Sequence, residues 1–246
     1  MSKPLTIWRD FWRCAHRGAS GWAPENTLAA MHLALQMGAN SLELDVHLSS
    51  DHEPVVLHDD TLDRTTNGSG LVRQYSLVEL QKLDAGSWFG AEFSGEKLPT
   101  LQQVIDQTGK ARLNIEIKGG ADTAIVAEAV VAQIRANKAE KRSLVTSFDE
   151  QALQAVKQIA PQIPVGLIAF NRRPDLLTGD WEAVSCHYEF VDEPFVRAVR
   201  DSGKHLLVWT VNEIDEMRRL LNLDVDGMIS NYPDRLQCAC ENRKTT

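Results

Sequence analysis

Long apolar runs are missing from this sequence. No stretch of the 246-residue chain approaches the roughly 18 residues that a membrane-spanning helix needs. The segment from Met1 to Cys14 is broken by Lys3, Arg9, Asp10 and Arg13 and shows no hydrophobic centre of a signal peptide. Cysteine is scarce: Cys14 and Cys186 sit in apolar runs, where a buried free thiol is expected, and Cys238-Ala239-Cys240 lacks the paired spacing of a zinc site. A reduced, cytoplasmic protein is the expectation. Positive charge is also in deficit. With 26 Lys and Arg against 34 Asp and Glu the net charge is -8, which argues against a general nucleic-acid binder but not against an anionic substrate held beside a metal ion. No Gly-x-Gly-x-x-Gly follows the first apolar run, which weakens a dinucleotide-binding fold. There is no linker, no low-complexity segment and no repeat beyond alternating strand and helix patterns.

What is present is that alternation. Eight short apolar runs read as strands: 11–15, 41–46, 112–117, 143–147, 165–168, 183–187, 205–211 and 227–230. Helix patterns at 27–37, 100–108, 123–137, 150–159, 193–201 and 213–221 lie between most of them; in the first, Leu28, Met31 and Leu35 recur at the spacing of one buried face. Strand–helix alternation implies a parallel sheet, and eight repeats in this length favour a closed barrel over an open one. The expected fold is α/β, a (β/α)8 TIM barrel forming one catalytic domain over residues 1–246, with a small insertion after the second strand region at about 59–99. Capping boxes are expected at Ser76/Glu79, Thr100/Gln103 and Ser147/Glu150, helix stops at Gly38 and Gly203, and a loose tail at 238–246. The insertion follows His58 and should fold over the barrel mouth. There Trp88, Phe89 and Phe93 cover substrate or pack on one another.

Chemistry concentrates at the ends of the apolar runs. Side chains alternate along a strand, so Glu43 and Asp45 share one face, as do Asn114, Glu116 and Lys118. Three carboxylates converging inside a barrel carry a heavy desolvation cost unless a counter-charge is present. For Glu43 and Asp45 alone, an exposed edge or a salt bridge to Arg17 and Lys118 would suffice; Glu116 in the same register on a neighbouring strand favours a metal. A divalent cation with oxygen ligands, magnesium or calcium, supplies the counter-charge. His16 follows the run 11–15 and His58 closes a further short apolar run, Val55-Val56-Leu57, and an imidazole near neutrality serves as base or acid. His32, His47, His52, His187 and His205 are read as structural, with His187 placed near enough to reach the mouth. Arg17 and Lys118 suit an anionic group. Cation, basic side chains and an acid–base pair together suit hydrolysis of a phosphate ester.

The motifs His16-Arg17-Gly18, Pro24-Glu25-Asn26-Thr27, Glu43-Leu44-Asp45-Val46, His58-Asp59 and Asn114-Ile115-Glu116-Ile117-Lys118 resemble those of the glycerophosphodiester phosphodiesterase family. The resemblance continues through Val208-Trp209-Thr210-Val211-Asn212 and Ser230-Asn231-Tyr232-Pro233. It implies hydrolysis of deacylated phospholipids to sn-glycerol 3-phosphate and an alcohol. In that case His16 and His58 are the acid–base pair, Glu43, Asp45 and Glu116 hold Mg2+ or Ca2+, Arg17 and Lys118 contact phosphate, and Trp209 lines the glycerol pocket. Water or the glycerol 2-hydroxyl is the attacking group. Two rival readings are a secreted lipid-cleaving barrel of the sphingomyelinase D or phosphatidylinositol phospholipase C type, and a non-catalytic barrel that senses a glycerol phosphate. The expected partner is a small-molecule diester, with neither nucleic acid nor stable membrane association. Head-group preference and oligomeric state are left open.

Overall fold

The computed structural model describes residues 6–120 and 123–243. Met1–Leu5 of the segment read for a signal peptide, and Lys244–Thr246 of the expected tail, lie outside the described residues. Nine strands form one sheet: β1 (Trp12–His16), β2 (Ser41–Leu48), β3 (Pro54–Val56), β4 (Arg112–Ile117), β5 (Ser143–Ser147), β6 (Val165–Ala169), β7 (Ala183–His187), β8 (His205–Trp209) and β9 (Gly227–Ser230). Eight of them are parallel and close into a barrel, because β1 pairs with both β9 and β2. Helices α1 (Leu28–Gln36), α2 (Leu77–Leu80), α3 (Leu101–Gln107), α4 (Thr123–Ala136), α5 (Glu150–Ile159), α6 (Glu193–Asp201), α7 (Ile214–Asn222) and α8 (Pro233–Arg243) follow, and the β6–β7 connection carries a 3-10 turn at Pro174–Leu177. This is the (β/α)8 barrel expected from the strand count. Among the described residues no helix is long and apolar enough to cross a membrane.

Strand alternation sorts the side chains into two layers. Leu42, Leu44 and Val46 of β2 and Leu113, Ile115 and Ile117 of β4 join the core between sheet and helices. The intervening residues point to the barrel axis. Low in the barrel that interior is apolar, built from Trp12, Cys14, Leu144, Ala183, Leu207 and Ile229. Trp8 stacks on Trp12 and His205 at 5.2 and 4.2 Å, and Arg112 lies over Trp12 while donating to the Ile7, Asp10 and Phe11 carbonyls. Each buried apolar side chain of this size contributes about 1.5–3 kcal/mol. The floor is therefore held by apolar and aromatic packing, and the carboxylates of the site stand above it, toward the carboxyl ends of the strands.

Several local expectations need correction. His58 does not follow a barrel strand. β3 turns back antiparallel on β2, with Val46 opposite Val56, and His58 lies two residues past its end. The face of α1 is centred on Ala30, Met31 and Ala34, with Leu28 and Leu35 only partly buried, because small side chains let the helix close on the β1–α1 turn. Asp149, not Ser147, caps α5; Ser147 belongs to β5 and donates to the Ile117 carbonyl. Residues 238–243 are helical, with Leu236 and Ala239 buried. Thr100/Gln103 forms the expected box, and Glu79 accepts from the Ser76 amide and hydroxyl. Gly38 and Gly203 adopt positive φ at their helix ends. Cys14 and Cys186 are buried thiols, and burial pushes Cys186 up to about 11.

The segment between β2 and α3 has its own apolar cluster of Val55, Leu57, Leu62, Val72, Leu80, Ala85 and Leu98. Its loop at 84–95 is tied by Asp84, which accepts from the Gly86, Ser87 and Gly95 amides. Trp88, Phe89 and Phe93 meet edge to face at 5.6 Å. They pack on one another.

Candidate active site

The turn after β1 sets the site. Arg17 and Gly18 both have positive φ, 56° and 80°. Gly18 has no substitute there, since a Cβ would lie 2.6 Å from the Ala30 backbone. Arg17, with a Cβ, costs roughly 1–2 kcal/mol in this conformation. Its amide donates to Glu43 Oε2 at 2.9 Å and its carbonyl accepts from the Asn26 amide at 3.0 Å. Asn26, also at positive φ, donates from Nδ2 to Asp45 Oδ2 at 2.8 Å. The strained turn thus aims two groups at the carboxylates of β2.

Barrel register brings those carboxylates together. His16 lies opposite Glu43, Glu43 opposite Asn114, and Asp45 opposite Glu116. Ligand atoms of Glu43, Asp45 and Glu116 fall within 4.8 Å of one another. The salt bridges anticipated from the sequence are present: Lys118 Nζ reaches Asp45 Oδ1 at 2.6 Å and Glu116 Oε1 at 2.5 Å, and Arg17 Nε lies 3.2 Å from Asp45 Oδ2. They do not satisfy the cluster. Glu43 Oε1 is buried with no hydrogen-bond partner. Burial, then Asp45 and Glu116, pushes the Glu43 carboxyl well above its ordinary value, and burial, then Asp45, raises Glu116. Asp45 is also penalised by burial, but Lys118 and Arg17 outweigh that and bring it down to about 2. Three buried carboxylates facing two cationic side chains, with one oxygen orphaned, fit a divalent cation with oxygen ligands.

The two histidines sit on the same cavity, of about 200 Å³, lined by His16, Arg17, Glu43, His58, Asn114, Glu116, Lys118 and, on its apolar side, Phe148, Ile168 and Trp209. His16 Nδ1 is 2.6 Å from Asn231 Oδ1, which also accepts from the Ser20 hydroxyl at 3.0 Å. A carbonyl oxygen cannot donate, so Nδ1 carries the proton and Nε2, 3.9 Å from Glu43 Oε2, keeps its lone pair. Burial, then Arg17, lowers the His16 pKa to about 4. His58 Nδ1 is 2.7 Å from Asp59 Oδ1, and the same reasoning leaves its Nε2 free. Arg64, then His58, holds the Asp59 carboxyl well below the usual range despite some burial. His47 Nε2 lies 3.1 Å from the His58 carbonyl, so the ring read as structural fixes the backbone of its neighbour.

Trp209 donates to the Ser185 carbonyl at 3.1 Å and carries Phe148 and Phe170 edge-on at 5.8 and 6.0 Å. His187 packs between Phe170 and Trp209 rather than opening on the cavity. Sequence reasoning assigned no role to Asn26, Asp59, Arg64, Phe148 or Asn231. Asn26, Asp59 and Asn231 lay inside the quoted motifs. Phe148 had one signal, an aromatic between a strand end and a helix cap.

The family model of the glycerophosphoryl diester phosphodiesterase family matches residues 16–235. A glycerophosphodiester phosphodiesterase of Caldanaerobacter subterraneus subsp. tengcongensis is 39% identical over 229 residues, covering 90% of this chain and 94% of that protein. One from Bacillus subtilis is 35% identical over 243 residues, covering 89% and 83%. Among solved structures, an Oleispira antarctica phosphodiesterase in complex with the product sn-glycerol-3-phosphate superposes with a TM-score of 0.89 at 36% identity, covering 93% of this chain and 96% of that one.

Proposed function

The chain belongs to the glycerophosphoryl diester phosphodiesterase family, and from that premise we propose that it hydrolyses glycerophosphodiesters to sn-glycerol 3-phosphate and an alcohol, using a divalent cation and two histidines. One observation carries the reading: a single cavity gathers both imidazoles, Arg17, Lys118 and, from the three-carboxylate cluster, Glu43 and Glu116, with Asp45 directly beside them. The product named for the Oleispira antarctica neighbour supports the same substrate class.

Glu43, Asp45 and Glu116 would hold magnesium or calcium, which when bound neutralises phosphate charge. Arg17 and Lys118 meet the phosphate oxygens from the cavity wall, and Trp209 with Phe148 covers the glycerol. His16, kept neutral by burial and backed by a neutral amide, takes a proton at Nε2 from the attacking hydroxyl. His58, in its doubly protonated form with Nδ1 held by the Asp59 carboxylate, gives its Nε2 proton to the departing alcohol as the P–O bond breaks. The surroundings of the two rings thus favour His16 as base and His58 as acid.

The test is release of sn-glycerol 3-phosphate from glycerophosphocholine and glycerophosphoethanolamine, after chelation and again with magnesium or calcium restored. Turnover that vanishes on chelation and returns with either ion is expected. Folded protein that turns over neither substrate with either ion overturns the proposal.

A further inference from the structure

We infer that Arg64, in the segment between β2 and α3, is a positioning residue that aims the proton donor His58 and couples it to the phosphate-contacting Arg17. The inference rests on the proton-donor reading of His58 given above.

One guanidinium holds two carboxylates. Arg64 Nε donates to Asp59 Oδ2 at 2.7 Å and Nη2 to Asp59 Oδ1 at 2.9 Å. Nη1 donates to Glu25 Oε2 and Nη2 to Glu25 Oε1, both at 2.8 Å. The two carboxylates in turn reach the site. Asp59 Oδ1 accepts from His58 Nδ1 at 2.7 Å, and Glu25 Oε1 accepts from Arg17 Nη1 at 2.8 Å. The chain Arg17–Glu25–Arg64–Asp59–His58 therefore runs from the β1 turn, across the gap between barrel and insertion, to the second imidazole.

The geometry demands arginine. Two forks leave one planar group, and an ammonium offers a point charge without that plane. Arg64 is anchored beside the buried Leu62, Thr65 and Thr66, so its backbone is fixed. Its side chain is 43% exposed, and exposed ion pairs add little to stability. His58 needs such a brace more than His16 does. His16 ends a barrel strand, whereas His58 lies in a loop past a three-residue antiparallel strand. A misplaced general acid leaves the departing alcohol without its proton, and misplacement of about 1 Å costs on the order of 100-fold.

The leaving group separates positioning from mere structure. When the P–O bond to choline breaks, its electron pair passes to an oxygen that must be protonated. With 4-nitrophenol as leaving alcohol, the oxygen departs as the phenolate. Turnover is compared on glycerophosphocholine and on the 4-nitrophenyl ester of glycerol 3-phosphate, with magnesium or calcium present, for wild type, His58→Ala, Arg64→Ala and Arg64→Lys. His58→Ala should lose most on glycerophosphocholine and little on the nitrophenyl ester. Arg64→Ala should repeat that pattern at about 10- to 100-fold, mainly in kcat, with the thermal midpoint nearly unchanged and Arg64→Lys intermediate. If His58→Ala shows the leaving-group dependence while Arg64→Ala matches wild type, or loses equally on both substrates, the Arg64 inference is overturned and the reading of His58 stands. If His58→Ala loses equally on both, the proton-donor reading falls and takes the inference with it.

Discussion

The two histidines face one cavity but are built differently. His16 ends a barrel strand, is half-buried at the cavity wall, and is backed by the neutral Asn231 amide, whose oxygen also accepts from the Ser20 hydroxyl. His58 sits in a loop and is backed by a carboxylate that is itself clamped by Arg64. Burial makes the first ring hard to charge. A fixed anion gives the second ring a charge-assisted hydrogen bond when it is protonated. On the proposed reading, what stands behind each ring suits the pair to opposite proton-transfer roles.

The hardest break is removal of a ring. His16→Ala and His58→Ala should each cut kcat by roughly 100-fold or more with the fold retained by circular dichroism; near-normal turnover in either would remove that ring from the chemistry. Next comes the carboxylate cluster between them. Glu43→Gln should abolish the calorimetric heat of magnesium or calcium binding together with activity, and unchanged binding would exclude Glu43 as a ligand. A smaller loss follows from touching only the backing of His58. Asp59→Asn should cost about 10- to 100-fold in kcat with KM nearly constant, and a loss confined to KM would contradict the division of labour. The smallest effect belongs to the far side of the insertion. Trp88→Ala should leave kcat/KM within about two-fold of wild type, as for surface substitutions generally, because Trp88 packs on Phe89 and the Ala85 carbonyl instead of the cavity.

The same contrast explains what the sequence disclosed. Strands buried on both faces produce apolar runs, so all eight barrel strands were legible. Alternation along β2 and β4 put Glu43 with Asp45, and Glu116 with Lys118, on one face of each strand. β3 escaped because three residues are too few to show a period, and that hid the loop position of His58. The C-terminal helix escaped because its charged last turn outweighed Pro233 at its start and the buried Leu236 and Ala239. Backing residues were the least legible. Asn231 is 215 residues from His16, and Arg64 is 39 from Glu25; only barrel closure and the fold of the insertion bring them together. Residue spacing reveals which groups share a strand face, but not which group from a distant turn sets their protonation.

The measurement that bears most directly on this account is the pH dependence of kcat/KM in wild type and Asn231→Asp. His16 must be deprotonated to act as base, and burial lowers its pKa, so in enzyme saturated with cation its contribution to the acid limb of the wild-type rate should lie well below neutrality. A carboxylate in place of the Asn231 amide stabilises the imidazolium and raises the pKa. The acid limb should then move to higher pH, with activity at neutrality reduced and recovered on going more alkaline. An acid limb that stays in place in Asn231→Asp, in folded and cation-binding protein, would contradict the assignment of His16 as the base.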